Sequence, residues 1–301
     1  MVETYRETPL EMGKVFDLFT KGIKEYTSKN KIGVVVLGLS GGIDSTVVAA
    51  LCKASGVPII GVSMPCSTNK DDEKSAAVIA GEEFCDKFTE INLQQPFEVM
   101  EKFCAEASGK EKTPISQGNI KARLRMITLY DIASKVGGIV MDTDNLTEHF
   151  LGFWTIHGDD ADFNPIGGLW KHEVYALARY MKENVFKDSK ALEASIALMP
   201  TDGNGVKEGG DLAQIAPGKT YDDVDEILHA WVGLDSRIKE IVIKNYFDYG
   251  VFKKLCEKHG YETVEAVIMR SVRSEFKRKQ RPFIIDVYRG LICEKDGKIM
   301  E

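Results

Sequence analysis

The run VVVLGLSGGIDSTVVAAL, from Val34 to Leu51, constrains the fold more than any other part of the chain. Its first half is valine-rich and has no polar alternation, which suits a strand buried on both faces in a parallel sheet. Its second half, from Ile43 to Ala54, is helical by period. Between them, the turn from Ser40 to Ser45 carries two glycines, two serines and an aspartate. A strand that passes through a glycine turn directly into a helix begins a βαβ unit, whose crossover is right-handed.

The remainder of the chain repeats that alternation. Residues 10–29 read as an amphipathic helix, with Leu10, Met12, Val15, Leu18, Phe19 and Ile23 at three- and four-residue steps. Further buried strands are expected at 56–65, 88–93 and 137–143, with a short fifth at 163–166. Helices are expected at 71–87, 97–108, 119–136, 171–184 and 189–197. This order predicts an α/β fold: a doubly wound, mainly parallel sheet with helices on both faces, in a single domain over 1–301. In such sheets ligands gather at the carboxyl ends of the strands. The chemically suggestive residues fall there, at 40–45, 64–72 and 143–148. Residues 200–218 hold five glycines and little apolar periodicity, which predicts a lid, a binding loop or a disordered segment. Residues 221–301 return to helical patterning, with Val224, Ile227, Leu228 and Trp231 on one face.

A net charge of −7 argues against a broad nucleic-acid surface. Six cysteines, at 52, 66, 85, 104, 256 and 293, include no C-x-x-C pair, so a zinc site is unsupported. They read as reduced thiols, most of them small core residues. The N-terminal MVETYRETPLEMGKVF lacks the apolar stretch of a signal peptide. No segment approaches the roughly 18 apolar residues of a membrane span. A cytoplasmic location and no membrane partner are expected.

The turn itself points to phosphate. Backbone N–H groups at a helix N-terminus bind anions, and Gly41 and Gly42 allow close approach and positive φ. Ser40 and Ser45 add hydroxyl donors. The sequence SGGIDS has neither the lysine of G-x-x-x-x-G-K-[ST] nor the spacing of G-x-G-x-x-G. Asp44 would repel a bare phosphate, so it is read as reaching a Mg²⁺ ion carried by a polyphosphate. The alternative is a ligand-free turn capped by Asp44 or Ser40.

SGGIDS after a buried strand resembles the pyrophosphate loop of the N-type ATP pyrophosphatases. The segments GNIKARLRMITLYDIA (118–133), TDNLTEHFLGFWTIHGD (143–159), PIGGLWKHEVYALA (165–178), MPTDG (199–203) and EFKRKQRP (275–282) follow in order. Together they resemble the ammonia-dependent NAD synthetase family, from about residue 30 to residue 282. The resemblance implies a ligase that uses ATP to activate the carboxylate of deamido-NAD and then amidates it with ammonia, releasing AMP and pyrophosphate. It implies ATP and pyrophosphate contacts at Gly38, Ser40, Gly41, Gly42, Asp44, Ser45, Thr143, Lys171 and Thr201. It implies Mg²⁺ on Asp44 and Glu148, with Asp44 and Lys171 as the catalytic pair. Asn119, Arg123, Asp162 and Lys277 are implied as deamido-NAD contacts, in part across a homodimer interface.

Helical geometry bears on the 118–133 run. At about 100° per residue, Lys121, Arg125 and Thr128 share a polar stripe, and Arg123 points away into the arc of Ile127 and Tyr130. An arginine there calls for a carboxylate or phosphate partner; an interface salt bridge is the alternative. Thr147 and Glu148 could equally begin a helix, and Phe276 could be a buried anchor. Arg278, Lys279 and Arg281 read as a solvated basic face. Besides Phe276, which stands where some members of the family have histidine, three departures from the family pattern stand out. Asp142 replaces a common glycine, Ile156 replaces a lysine, and one residue is missing between Gly158 and Asp162. A different amidated or thiolated substrate, and a nucleotide-binding sensor without catalysis, are the competing readings. The synthetase resemblance leaves no room for a glutaminase domain, so free ammonia is the expected donor and a glutaminase partner is not indicated.

Overall fold

A computed structural model describes residues 10–67, 69–198, 210–279, 284–286 and 291–293. In chain order, α1 (Met12–Lys29) precedes β1 (Val35–Gly38), α2 (Ile43–Ser55), β2 (Ile59–Ser63), α3 (Asp71–Phe84), β3 (Lys87–Glu90) and α4 (Gln94–Ser108). Then come α5 (Pro114–Val136), β4 (Ile139–Met141), α6 (Leu146–Leu151), α7 (Lys171–Asn184) and α8 (Lys190–Ala197). A helical part follows, with α9 (Gly210–Ile215), α10 (Tyr221–Val232), α11 (Ser236–Lys244), α12 (Val251–His259), α13 (Tyr261–Arg273) and α14 (Glu275–Arg278). The strands β5 (Ile284–Asp286) and β6 (Leu291–Cys293) come last.

The first four strands form one parallel sheet in the order β3-β2-β1-β4. Chain order reverses beside β1, so the carboxyl ends of β1 and β4 flank the crevice where such sheets take ligands. Side chains of β1 alternate between two cores, as the pleat requires. Val35 and Leu37 join the cluster that includes Ile23 of α1, Val47 and Leu51 of α2, Phe84 of α3 and Leu177 of α7. Val36 joins Val62, Val140 and Ala133 of α5 on the opposite face. The sheet is therefore doubly wound, as the buried valine run predicts. The later helices have a cluster of their own, around Val224, Ile227, Leu228, Trp231, Phe252, Val264 and Ile268.

Several boundaries differ from expectation for local reasons. The helix predicted at 119–136 starts five residues earlier, because Thr113 caps Ser116 N and Pro114 fits the first turn. It ends at Gly137, in the left-handed conformation. The predicted fifth strand shrinks to one parallel bridge between Met141 and Phe163, next to Asn164 and Pro165; proline has no N–H to extend a ladder. Residues 210–215, expected in a loop, form α9, while residues 199–209 lie outside the described residues. The end of the chain is not helical throughout. Ile284 pairs with Cys293 in an antiparallel ribbon, as suits a β-branched stretch after Pro282.

Cys52 and Cys66 are buried, Cys85 and Cys256 partly so, and Cys104 is exposed. Cys293 is described only by its place in β6. Among the described residues no helix is long and apolar enough to cross a membrane. Burial pushes the Cys52 thiol up to about 12 and the Cys85 thiol up to about 11. Because the thiolate is the nucleophile, iodoacetamide at pH 8 should alkylate Cys104 in the folded protein and leave Cys52 intact, as read by peptide mass spectrometry. Equal labelling of the two would contradict this core.

Candidate active site

The turn between β1 and α2 is shaped by its glycines and its hydroxyls. Gly41 has φ +83°, and a Cβ there would sit 2.2 Å from the backbone oxygen of Glu73 in α3. Only glycine fits. Gly42 takes an ordinary extended φ of −72°, so the positive φ expected of both glycines is needed at one. The Ser40 and Ser45 hydroxyls face each other at 3.2 Å, and Gly42 N donates to Ser40 Oγ at 3.2 Å. No side chain caps α2, which leaves the N-terminus of a 13-residue helix open beside these hydroxyls.

Asp44 lies in the first turn of α2. Glu148 lies in the first turn of α6, and Lys171 opens α7. The three side chains meet. The Lys171 ammonium donates to Asp44 Oδ2 and, at 3.1 Å, to Glu148 Oε1. Lys171 is 4% exposed. Burial alone would lower its pKa, but the two carboxylates outweigh it and hold the pKa well above the usual lysine range. Burial pushes the Glu148 carboxyl up to about 7, against the opposing pull of Lys171.

Glu148 also begins its helix, as one of the two readings of this stretch expects. Asn145 is the N-cap, its Oδ1 accepting from Glu148 N at 3.1 Å, and Glu148 Oε2 accepts from Asn145 N at 3.2 Å. Asn145 Nδ2 further donates to Asp44 Oδ1 at 3.0 Å. The N-x-x-E spacing was readable in the sequence; the reach of Asn145 to Asp44 was not.

Behind this group lies Asp225 of α10, fully buried. Its oxygens accept from Thr147 Oγ1 at 2.5 Å, from His172 N at 3.0 Å and from His172 Nδ1 at 2.8 Å. Burial would lower the His172 pKa, yet Asp225 outweighs it and holds it above the ordinary histidine value. A carboxylate among Val224, Ile227 and Leu228 was the available signal for Asp225, since aspartate is rarely fully buried unless paired.

A cavity of about 210 Å³ opens beside the turn. Gly38, Ser40, Met64, Arg125, Leu129 and Thr143 line part of it. Arg125 enters it from α5, with Nε donating to Met64 O at 3.3 Å and Nη2 to Asn69 Oδ1 at 3.4 Å. The polar stripe of α5 thus faces inward. Lys121 is 3% exposed, with its ammonium 5.0 Å from the centre of the Phe97 ring. Arg123 is the exposed one, and its Nη2 donates to the Ile156 carbonyl at 3.1 Å.

Asp142 acquires a clear structural part. Its carboxylate accepts from Asp144 N at 2.7 Å, Ala161 N at 3.0 Å and Asn164 Nδ2 at 3.0 Å, tying the end of β4 to the shortened 158–164 segment. Asp162 accepts from Val140 N at 2.9 Å and from Tyr130 Oη at 3.0 Å, so one oxygen braces β4 at the edge of the sheet and the other α5. Its neighbours Asp159, Asp160 and Ala161, not Asp162, line the cavity.

The remaining expected substrate residues lie around the segment 150–156. Asn119 Oδ1 accepts from Thr155 Oγ1 at 3.1 Å. Lys277 donates to the carbonyls of Gly152, at 2.7 Å, and Trp154. Phe276 is 64% exposed and is no buried anchor. Arg278 is no solvated charge either, since it donates to Phe150 O, Ser271 O and Ser274 Oγ. Thr201 lies outside the described residues.

The family model described as NAD synthase matches residues 15–281. The NH(3)-dependent NAD(+) synthetase of Wolinella succinogenes is 32% identical over 250 residues, which cover 82% of this chain and 86% of the relative. That of Campylobacter jejuni subsp. doylei is 34% identical, over 81% of this chain and 96% of the relative. Among solved structures, the NH3-dependent NAD synthetase of Campylobacter jejuni subsp. jejuni superposes with a TM-score of 0.60 at 26% identity, covering 85% of this chain and 96% of that one.

The contact at Gly41 gives a direct test. Gly41→Ala should destabilise the protein by about 2 kcal/mol or more, because both the φ and the α3 backbone oppose a Cβ. Urea unfolding measures it, and a midpoint equal to that of the unmodified chain would refute the contact.

Proposed function

The chain belongs to the NAD synthase family, and from that premise we propose that it amidates deamido-NAD with ammonia at the carboxyl ends of β1 and β4. The nicotinate carboxylate attacks the α-phosphorus of ATP, the bond to the β-phosphate breaks and pyrophosphate leaves. Ammonia then attacks the acyl carbon, the bond to AMP breaks, and ammonia gives up a proton as the amide forms. The observation that carries this reading is the convergence of Asp44, Glu148 and Lys171 beside the open N-terminus of α2.

The chain's residues divide the work. Ser40, Gly41, Gly42 and Ser45 form the nest for the leaving pyrophosphate, with the first N–H groups of α2. Gly38, Thr143 and Arg125 hold the nucleoside part of ATP in the adjoining cavity. Asp44 and Glu148 fit Mg²⁺: both are hard oxygen donors, and both already converge on a single cation, the Lys171 ammonium. These two carboxylates would hold Mg²⁺, which would supply neutralisation of phosphate charge. Lys171, released from the two carboxylates, meets a phosphate oxygen as a point charge. Thr201 is a further proposed ATP contact.

Asn119, Arg123, Asp162 and Lys277 are proposed for the deamido-NAD side. Asp162 and Lys277 serve it by holding backbone, while Asn119 and Arg123 face the segment 155–156. A homodimer completes this proposal. Val99 and Phe103 of α4 and Ile115 and Ile127 of α5 are 49–70% exposed, an apolar face that a second copy would cover.

Two measurements test the proposal. With ATP, Mg²⁺, ammonia and deamido-NAD, the protein should form NAD and AMP, and Asp44→Asn should cut ATP–pyrophosphate exchange by about a thousandfold or more. Unchanged exchange removes Asp44 from the site, and AMP formed only with another acid changes the substrate. Arg125→Met should raise the KM for ATP by about tenfold, the loss of one charge-assisted contact. An unaltered KM would place the nucleoside elsewhere.

A further inference from the structure

The structure assigns to Asp225 the part of a positioning residue, which acts through Thr147 on the two groups that face the phosphates, Glu148 and Lys171. Its carboxylate is fully buried, and among the described residues its ion-pairing partner is His172. The hydrogen-bond directions are forced. Lys171 N can only donate, and it points at Thr147 Oγ1 from 2.9 Å. The Thr147 oxygen is therefore an acceptor there, and its own proton goes to Asp225 Oδ1. The other oxygen, Oδ2, takes two donors from His172.

One carboxylate thus clamps the first turn of α6 to the first turn of α7. Thr147 is the residue before Glu148, and His172 is the residue after Lys171. The clamp fixes the two backbone origins from which Glu148 Oε1 and Lys171 Nζ meet at 3.1 Å. Supporting contacts of this kind control how well a charged site is aligned. An asparagine at 225 has one acceptor oxygen where the carboxylate has two, so it cannot receive both Thr147 and His172.

This inference rests on the nucleotide role proposed for Glu148 and Lys171, and the experiment separates the two. Five proteins are compared: the unmodified chain, Asp225→Asn, Thr147→Val, Thr147→Ser and the double variant of Asp225→Asn with Thr147→Val. Calorimetric binding of Mg²⁺·ATP is measured without any acid substrate, alongside steady-state NAD formation and thermal unfolding. Thr147→Ser keeps the hydroxyl and should bind and turn over within about twofold of the unmodified chain. Thr147→Val and Asp225→Asn should weaken Mg²⁺·ATP binding and raise the half-saturating Mg²⁺ by about tenfold, the scale seen when supporting contacts are removed. Their KM for deamido-NAD should not change. The double variant should be no worse than the worse single, since one chain of bonds is broken either way. If Asp225→Asn does not fold, Thr147→Val decides, because it removes only the hydroxyl at nearly constant volume. A lower unfolding temperature with unchanged Mg²⁺·ATP affinity and Mg²⁺ dependence would make the clamp merely structural and overturn the inference. An unmodified chain that binds Mg²⁺·ATP but makes no NAD would instead overturn the proposed reaction and leave the clamp testable.

Discussion

The Lys171 ammonium is buried, and a buried cation is tolerated only when carboxylates meet it at close range. Asp44 reaches it from the helix after β1, and Glu148 from the helix after β4. Those strands are neighbours in the sheet, and chain order reverses beside them. The ion group thus ties the start of α2 to the starts of α6 and α7. The rest of the site is arranged around that tie: the serine turn on one side, the cavity with Arg125 on another, the Asp225 clamp behind. Three helix N-termini gathered at one point also give a positive field where phosphate charge would lie.

Much of this was legible in the chain because it depends on local patterns. A valine run without alternation means a strand covered on both faces, and β1 indeed divides its side chains between two cores. Glycine, serine and aspartate between strand and helix mark a turn whose backbone must do something unusual, and Gly41 does. Asp44 could be named from the turn itself, an acid beside glycines and hydroxyls at the end of a buried strand, whereas Glu148 and Lys171 were named through the family resemblance of the segments that carry them. That they form one ion group over a sequence span of more than a hundred residues is a tertiary fact, as is the bond from Asn145 to Asp44.

The failures have a common cause. Angular position on a helix says which residues share a face, but not whether that face looks at solvent or at a ligand. On α5 the stripe of Lys121 and Arg125 looks inward, and Arg123 looks out, because the helix packs on β1 and β4 at the mouth of the crevice. The same limit hid the roles of Asp142 and Asp162. Asp142 was only an unassigned acid and Asp162 an implied substrate contact; Asp142 accepts from two backbone N–H groups and the Asn164 amide, and Asp162 from the β4 backbone and the Tyr130 hydroxyl. Hydrogen-bond demand from a backbone that leaves a strand is invisible to composition and to period. In the C-terminal part, apolar spacing identified α10 and its face but gave no warning of the strand pair at Ile284 and Cys293.

The contact between Gly41 and α3 has an evolutionary consequence. The position excludes every side chain because a neighbouring backbone carbonyl occupies the space, whether or not a phosphate is ever bound there. A descendant that had lost its chemistry would still be held to glycine at that point by folding alone. The glycine of such a turn is therefore a marker of ancestry and fold, and by itself it carries no record of whether a lineage has kept its chemistry.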